Sequence, residues 1–166
     1  MGLRAKAREM AVRAHGDQKY GDDPYVVHLD EVAALCAPYG EMAEAIGYLH
    51  DTMEDTDLTR DEIEAELGAV VADCVEALTD AHGANRKERK RLTYARMAAV
   101  DAATDLRLTL VAKAADRLAN LRRCVKDSNR PLLEMYRKEH PDFRRAVFRP
   151  GLNEALIAEI DRIVAS

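Results

Sequence analysis

Apolar residues recur along this chain every three or four positions and almost nowhere every second one, which is the pattern of helices that bury one face. Val70, Val71, Cys74, Val75 and Leu78 mark one such face, and Leu106, Leu110, Val111, Ala114, Ala115, Leu118, Leu121 and Val125 mark a longer one. Thr59-Arg60-Asp61-Glu62 has the spacing of a capping box, which predicts a short helix through Leu67 ended by Gly68. Further helices are expected near residues 3–15, 29–38, 41–51, 86–101, 129–139 and 152–164. Gly21-Asp22-Asp23-Pro24, His82-Gly83 and Arg149-Pro150-Gly151 read as loops between helices rather than as a linker. The expectation is an all-α fold with one domain over residues 1–166.

Composition narrows this picture. A chain of 166 residues is long enough for a single buried core without disulfides. Cys36, Cys74 and Cys124 are far apart, lie among apolar helical positions and show no paired ligand spacing, so they read as buried thiols of a reducing cytoplasm. The first residues lack the apolar core of a secretory signal, and no stretch has the length of a membrane span. A net charge of −5 argues against nonspecific nucleic-acid binding, although the charge is uneven. Residues 50–66 hold eight acids and one Arg, whereas Arg86-Lys87-Glu88-Arg89-Lys90-Arg91 holds five bases and one acid. That basic run reads first as a solvated helix face, with steering of a polyphosphate toward a metal as the alternative.

Candidate chemistry concentrates in Leu49-His50-Asp51-Thr52-Met53-Glu54-Asp55. On a helix, His50 lies over Glu54, and Asp51 over Glu54 and Asp55, so four ionisable groups converge. Carboxylates packed this closely repel unless a cation neutralises them, and an imidazole among them suits manganese, iron or zinc better than calcium. Upstream, His28 sits just inside a helix start. Downstream, Asp116 interrupts an apolar face and needs either an Arg partner or a metal.

Taken in order, His28, His50-Asp51, Glu54-Asp55 and Asp116 resemble the HD-domain phosphohydrolases, a helical bundle of about eight to ten helices. The nearer likeness is to the Rel/SpoT-type alarmone hydrolase domain and its free-standing small alarmone hydrolases. Ala14-His15-Gly16-Asp17-Gln18, Pro24-Tyr25, the run LHDTMEDTD from Leu49, Leu78-Thr79-Asp80 and the run KAADRLAN from Lys113 carry it, over roughly residues 8–125. The resemblance implies that His28, His50, Asp51 and Asp116 ligate one divalent metal, usually manganese, while Glu54 and Asp55 position and deprotonate the attacking water. It also implies substrate contacts from Lys19, Tyr20, Lys113, Asn120 and Tyr136.

In one respect the chain departs from those relatives. They carry an Arg-Lys pair between the Gln and the Pro-Tyr, whereas here the interval is shorter and reads Lys19-Tyr20-Gly21-Asp22-Asp23. Lys19 is the one cation left there, and Tyr20 either stacks on a base or packs beside the glycine. The expected activity is removal of the 3′-pyrophosphate of guanosine alarmones or a related nucleotide, by a stand-alone hydrolase without a synthetase domain. An HD-class phosphomonoesterase acting on nucleoside monophosphates or NADP(H), and a non-catalytic alarmone-binding module, are the alternatives. His15 is read as loop support, His82 as the least suited ligand, and His140, before Pro141, as a cap or solvent-exposed residue at a helix end.

Overall fold

In the computed structural model, which describes residues 1–166, the periodic segments become ten α-helices. They are α1 (Leu3–His15), α2 (Val26–Cys36), α3 (Glu41–Leu49), α4 (Thr52–Asp55), α5 (Arg60–Leu67), α6 (Ala69–Leu78), α7 (Arg86–Ala98), α8 (Arg107–Lys126), α9 (Arg130–Val147) and α10 (Glu154–Ala165). The capping box forms at α5: Thr59 Oγ1 accepts from the Glu62 amide, and the Glu62 carboxylate accepts from the Thr59 amide at 2.9 Å. The helix stops at Gly68, whose φ of 90° is open to glycine.

α8 is the central element, packed against α2, α3, α6, α9 and α10, and most of its surface is buried. Its Leu110, Leu118 and Leu121 join Leu29, Ile46, Leu49, Phe143 and Ile157 in one core cluster. Gly47 permits a very close helix contact. A Cβ there would lie 3.1 Å from both Ala33 Cα and Cys36 Sγ, so the missing side chain is what lets α3 lie against α2. No helix is long and apolar enough to cross a membrane.

Three helices and a hairpin differ from the sequence expectation. α2 begins at Val26, ahead of the expected start near residue 29, and α7 ends at Ala98. α9 runs for 18 residues through Pro141 instead of ending near 139, because the turns beyond it bury Phe143, Ala146 and Val147. That burial outweighs the hydrogen bond Pro141 cannot donate. His140 therefore lies inside a helix, partly buried, with Nε2 2.7 Å from Asp161 of α10. Finally, Lys19–Tyr20 (β1) and Asp23–Pro24 (β2) pair antiparallel, Lys19 opposite Pro24 and Tyr20 opposite Asp23. Two-residue strands are too short for alternation to reveal.

Candidate active site

The close α2–α3 contact brings His28, in the first turns of α2, against His50, at the end of α3: their Nε2 atoms are 3.2 Å apart. On an unbroken helix, adjacent residues point about 100° apart and could not aim at one spot. The chain solves this at Asp51, whose φ of −105° and ψ of −3° interrupt the helix between α3 and α4. Asp51 Oδ2 then lies 2.9 Å from His50 Nε2 and 3.8 Å from His28 Nε2. From the centre of α8, Asp116 Oδ1 closes the group at 3.2 Å from His28 and 3.4 Å from His50. Of the two readings of Asp116, an Arg partner or a shared cation, this geometry answers to the second.

The four residues fit a metal ion on their own geometry. One ligand atom from each lies within 4.8 Å of all the others. Donors about 2.1 Å from a common ion stand about 3.0–3.4 Å apart, close to most of the separations above. His50 Nδ1 donates to the Gly47 carbonyl at 2.7 Å, so in the neutral ring the Nε2 lone pair faces two carboxylates. Such an arrangement repels itself unless a cation or a proton lies between. Burial opposes a charged His50, yet Asp51 and Asp116 outweigh it and hold its pKa well above the ordinary histidine value. Asp116, despite its own burial, is held well below the carboxylate range by His28 and His50.

Aromatic side chains brace this cluster. Tyr25 donates to Asp51 Oδ2 at 2.5 Å and stacks on the buried His15, with ring centroids 4.3 Å apart. His15 in turn bonds Gln18 through Nδ1 at 2.6 Å, the loop-supporting role expected of it. Tyr20 stacks on His28 at 4.4 Å and donates to Asn120 Oδ1 at 2.5 Å, while Asn120 Nδ2 donates to Asp116 Oδ1 at 2.7 Å. Asn120, expected as a substrate contact, lines both cavities beside the cluster and holds Asp116 by this bond. Because Tyr25 sets the carboxylate that reaches the cluster, Tyr25→Phe should weaken divalent-metal binding about tenfold. Its melting temperature should change little, since the ring keeps its stack on His15. Isothermal titration with Mn²⁺ checks this, and an unaltered affinity would strip Tyr25 of the orienting role.

A cleft of about 300 Å³ opens over the cluster, lined among others by Glu54, Asp55, Lys113 and Tyr136. A second cavity of about 310 Å³ adjoins it, with Tyr20, Asn120 and Tyr136 lining both. Glu54 and Asp55 stand at the rim, on the short helix α4. Partial burial raises the carboxyl of Glu54, with Asp80 and Asp51 adding to it and Lys113 opposing; burial and Asp51 raise Asp55. Lys19 is exposed on the hairpin and lines neither cavity. His82 lies outside the ligand cluster, in the loop before α7.

The basic run of α7 departs from the solvated face first expected of it. Arg86, Arg89 and Lys90 line the cleft, and Lys87 and Arg91 lie outside it. Their i, i+3, i+4 spacing, continued by the buried Thr93 and Met97, is the signal that separates the two sets. Sequence reasoning also assigned no role to Tyr25, Asp80, Arg117, Glu139 or Arg123. Arg117, 5% exposed, bonds Tyr94 Oη at 2.9 Å and Glu139 at 3.1 Å and lies over the ring of Tyr136 at 4.5 Å. Arg123 reaches across to the hairpin, bonding Asp23 at 2.6 Å and pairing with Asp127. Gly21 has a φ of 60°, which favours glycine, and a Cβ there would displace the Arg123 guanidinium, whose Nη2 would stand 2.7 Å away.

This chain is similar to known proteins. Residues 7–140 match the HD domain. A GTP pyrophosphokinase rsh from Brucella ovis is 38% identical over 122 residues, which cover 70% of this chain and 16% of that protein. The guanosine-3′,5′-bis(diphosphate) 3′-pyrophosphohydrolase of Aquifex aeolicus is 37% identical over 120 residues, 70% of this chain and 17% of its own. The human guanosine-3′,5′-bis(diphosphate) 3′-pyrophosphohydrolase MESH1 is 36% identical over 124 residues, 70% of this chain and 66% of that one. The matched region is therefore a minor part of the bacterial relatives. A solved structure described as a metazoan ortholog of SpoT that hydrolyzes ppGpp superimposes with a TM-score of 0.82 at 23% identity, covering 99% of this chain and 95% of that one, so the two share a fold.

Proposed function

This chain belongs to the HD-domain family, and from that premise we propose that it is a metal-dependent phosphohydrolase that removes the 3′-pyrophosphate of guanosine alarmones, (p)ppGpp or a close relative. The observation that carries the reading is the buried cluster of His28, His50, Asp51 and Asp116 with Glu54 and Asp55 beside it on the rim of the same cleft. The names of the relatives from Aquifex aeolicus and Homo sapiens supply the substrate class. Manganese is the ion we assign to the two-imidazole, two-carboxylate donor set. Bound there, a divalent ion supplies an acidified water and a polarised phosphoryl oxygen.

The chain's own groups provide the rest. Glu54, with its raised affinity for protons, is suited to take one from the attacking water, and Asp55 to orient that water. Tyr20 and Tyr136, at the junction of the two cavities, flank the nucleoside, and Lys113 beside Asp80 attracts phosphate. Water adds at the phosphorus attached to the 3′ oxygen; that P–O bond breaks, the 3′ oxygen regains a proton, and pyrophosphate departs. The intact Glu54-Asp55 pair favours turnover over binding alone.

The test is to incubate metal-stripped protein with ppGpp, with and without added Mn²⁺, and to resolve products by ion exchange. GDP and pyrophosphate formed only with the metal support the proposal. Inert ppGpp with metal-loaded protein sinks it, and orthophosphate released from nucleoside monophosphates would install the phosphomonoesterase reading instead.

A further inference from the structure

The α7 side of the cleft carries more positive charge than its own acids balance. Lys90 and Lys113 share Asp80, at 2.5 and 3.6 Å. Arg86 and Arg117 share Glu139, at 2.9 and 3.1 Å. Arg89 lines the same cavity and, unlike these four, makes no ion pair. Five cations thus line one cavity of about 300 Å³; among its lining carboxylates Asp80 pairs with two of them, while Asp51, Glu54, Asp55 and Asp116 gather around the imidazole cluster, and Glu139 pairs from outside the lining. A network whose only duty was to hold helices together would gain by balancing its charges, because unpaired like charges in a partly buried site repel. Lys90 registers that strain: burial, and then Lys113, lower its pKa despite Asp80.

The loop before α7 presses on Arg89 so closely that a Cβ on Gly83 would stand 2.9 Å from the Arg89 amide nitrogen and 3.1 Å from its Cγ. The other end of the basic group adjoins the reacting end of the cleft, since the Asp80 amide, 3.4 Å from Glu54 Oε2, links the two. The acids of the metal cluster lie at the α3–α4 junction and on α8, and a divalent ion there offsets Asp51 and Asp116. Arg89, on α7, is left without an acid partner.

We propose that Arg89, with Lys90 and Lys113, forms a second anion subsite that receives the 5′-phosphates of a nucleotide whose 3′-pyrophosphate lies at the metal cluster. This rests on the function proposed above. A 5′-diphosphate carries about three negative charges at neutral pH, which Arg89, Lys90 and Lys113 can receive. The site thereby prefers nucleotides phosphorylated on both arms over those with a single phosphorylated position. It also supplies the cationic grip that the shortened hairpin, with Lys19 outside the cleft, does not.

The experiment compares two guanosine 3′-diphosphates, one with a 5′-diphosphate and one with a 5′-hydroxyl, in the wild-type protein and in Arg89→Gln. The ratio of their kcat/KM values should fall about tenfold in the variant, through KM rather than kcat. Equal losses on both substrates would assign Arg89 to the departing pyrophosphate, and unaltered kcat/KM on both would remove it from recognition; either overturns the proposal. Should neither compound be hydrolysed, the proposed function fails, while the subsite is still read by calorimetric titration of Mn²⁺-loaded protein with GDP. Binding about tenfold weaker or worse in Arg89→Gln supports the subsite, and equal affinity overturns it.

Discussion

Asp116→Asn is expected to take bound manganese from about one ion per chain to near none and to lower hydrolysis on the order of a thousandfold. Its Oδ1 is the atom that faces both imidazoles, at 3.2 and 3.4 Å, so the amide keeps the shape of the side chain and removes the charge that both histidines answer to. Proton and metal compete for this cluster. Asp51 and Asp116 hold a proton on His50 against the cost of burial, so in the wild type a rise in pH strips that proton and strengthens metal binding. Metal content after dialysis at several pH values, read by mass spectrometry, measures both effects. Full retention of manganese by the Asp116→Asn variant would exclude Asp116 from the ligand set.

Glu54→Gln should separate chemistry from metal binding, with kcat lower by about 10²–10⁴ and metal content intact. The wild-type carboxyl is raised by partial burial, then by Asp80 and Asp51, with Lys113 pulling the other way. A base must be deprotonated to act, so the wild-type rate climbs as pH rises through a pKa above the usual glutamate range, and the variant loses that limb. Stability should move differently. A carboxyl whose folded pKa is raised contributes stability below its unfolded pKa and loses it as pH increases through the folded one. Gln stays neutral, so the metal-free variant should melt no lower than the wild type at neutral pH. A variant with full kcat would end the role of Glu54 as proton acceptor.

What the chain discloses before folding is uneven, for physical reasons. The long face from Leu106 to Val125 and the box at Thr59 are local signals, and both became the expected elements. The end of α9 was not local. The rule that Pro141 ends a helix lost to the burial of Phe143, Ala146 and Val147, which depends on helices distant in sequence. Within the site, His28, His50, Asp51 and Asp116 were legible as residue types in order, and the structure gathers them. A continuous helix, expected to set His50 over Glu54 and Asp51 over Glu54 and Asp55, gives way to a break at Asp51. The braces, Tyr25 on Asp51 and Tyr20 on Asn120, span 26 and 100 residues, beyond the reach of any periodicity.

Position 47 joins two demands that are usually met by different residues. The absent side chain sets how near α2 comes, and the carbonyl of the same residue decides which nitrogen of His50 carries hydrogen. An engineer improving this scaffold would therefore find packing and basicity inseparable there. A library sorted by heat resistance alone would score only the first of these and discard the second unseen, so residue 47 belongs among those held constant even though it contributes no functional atom of its own side chain.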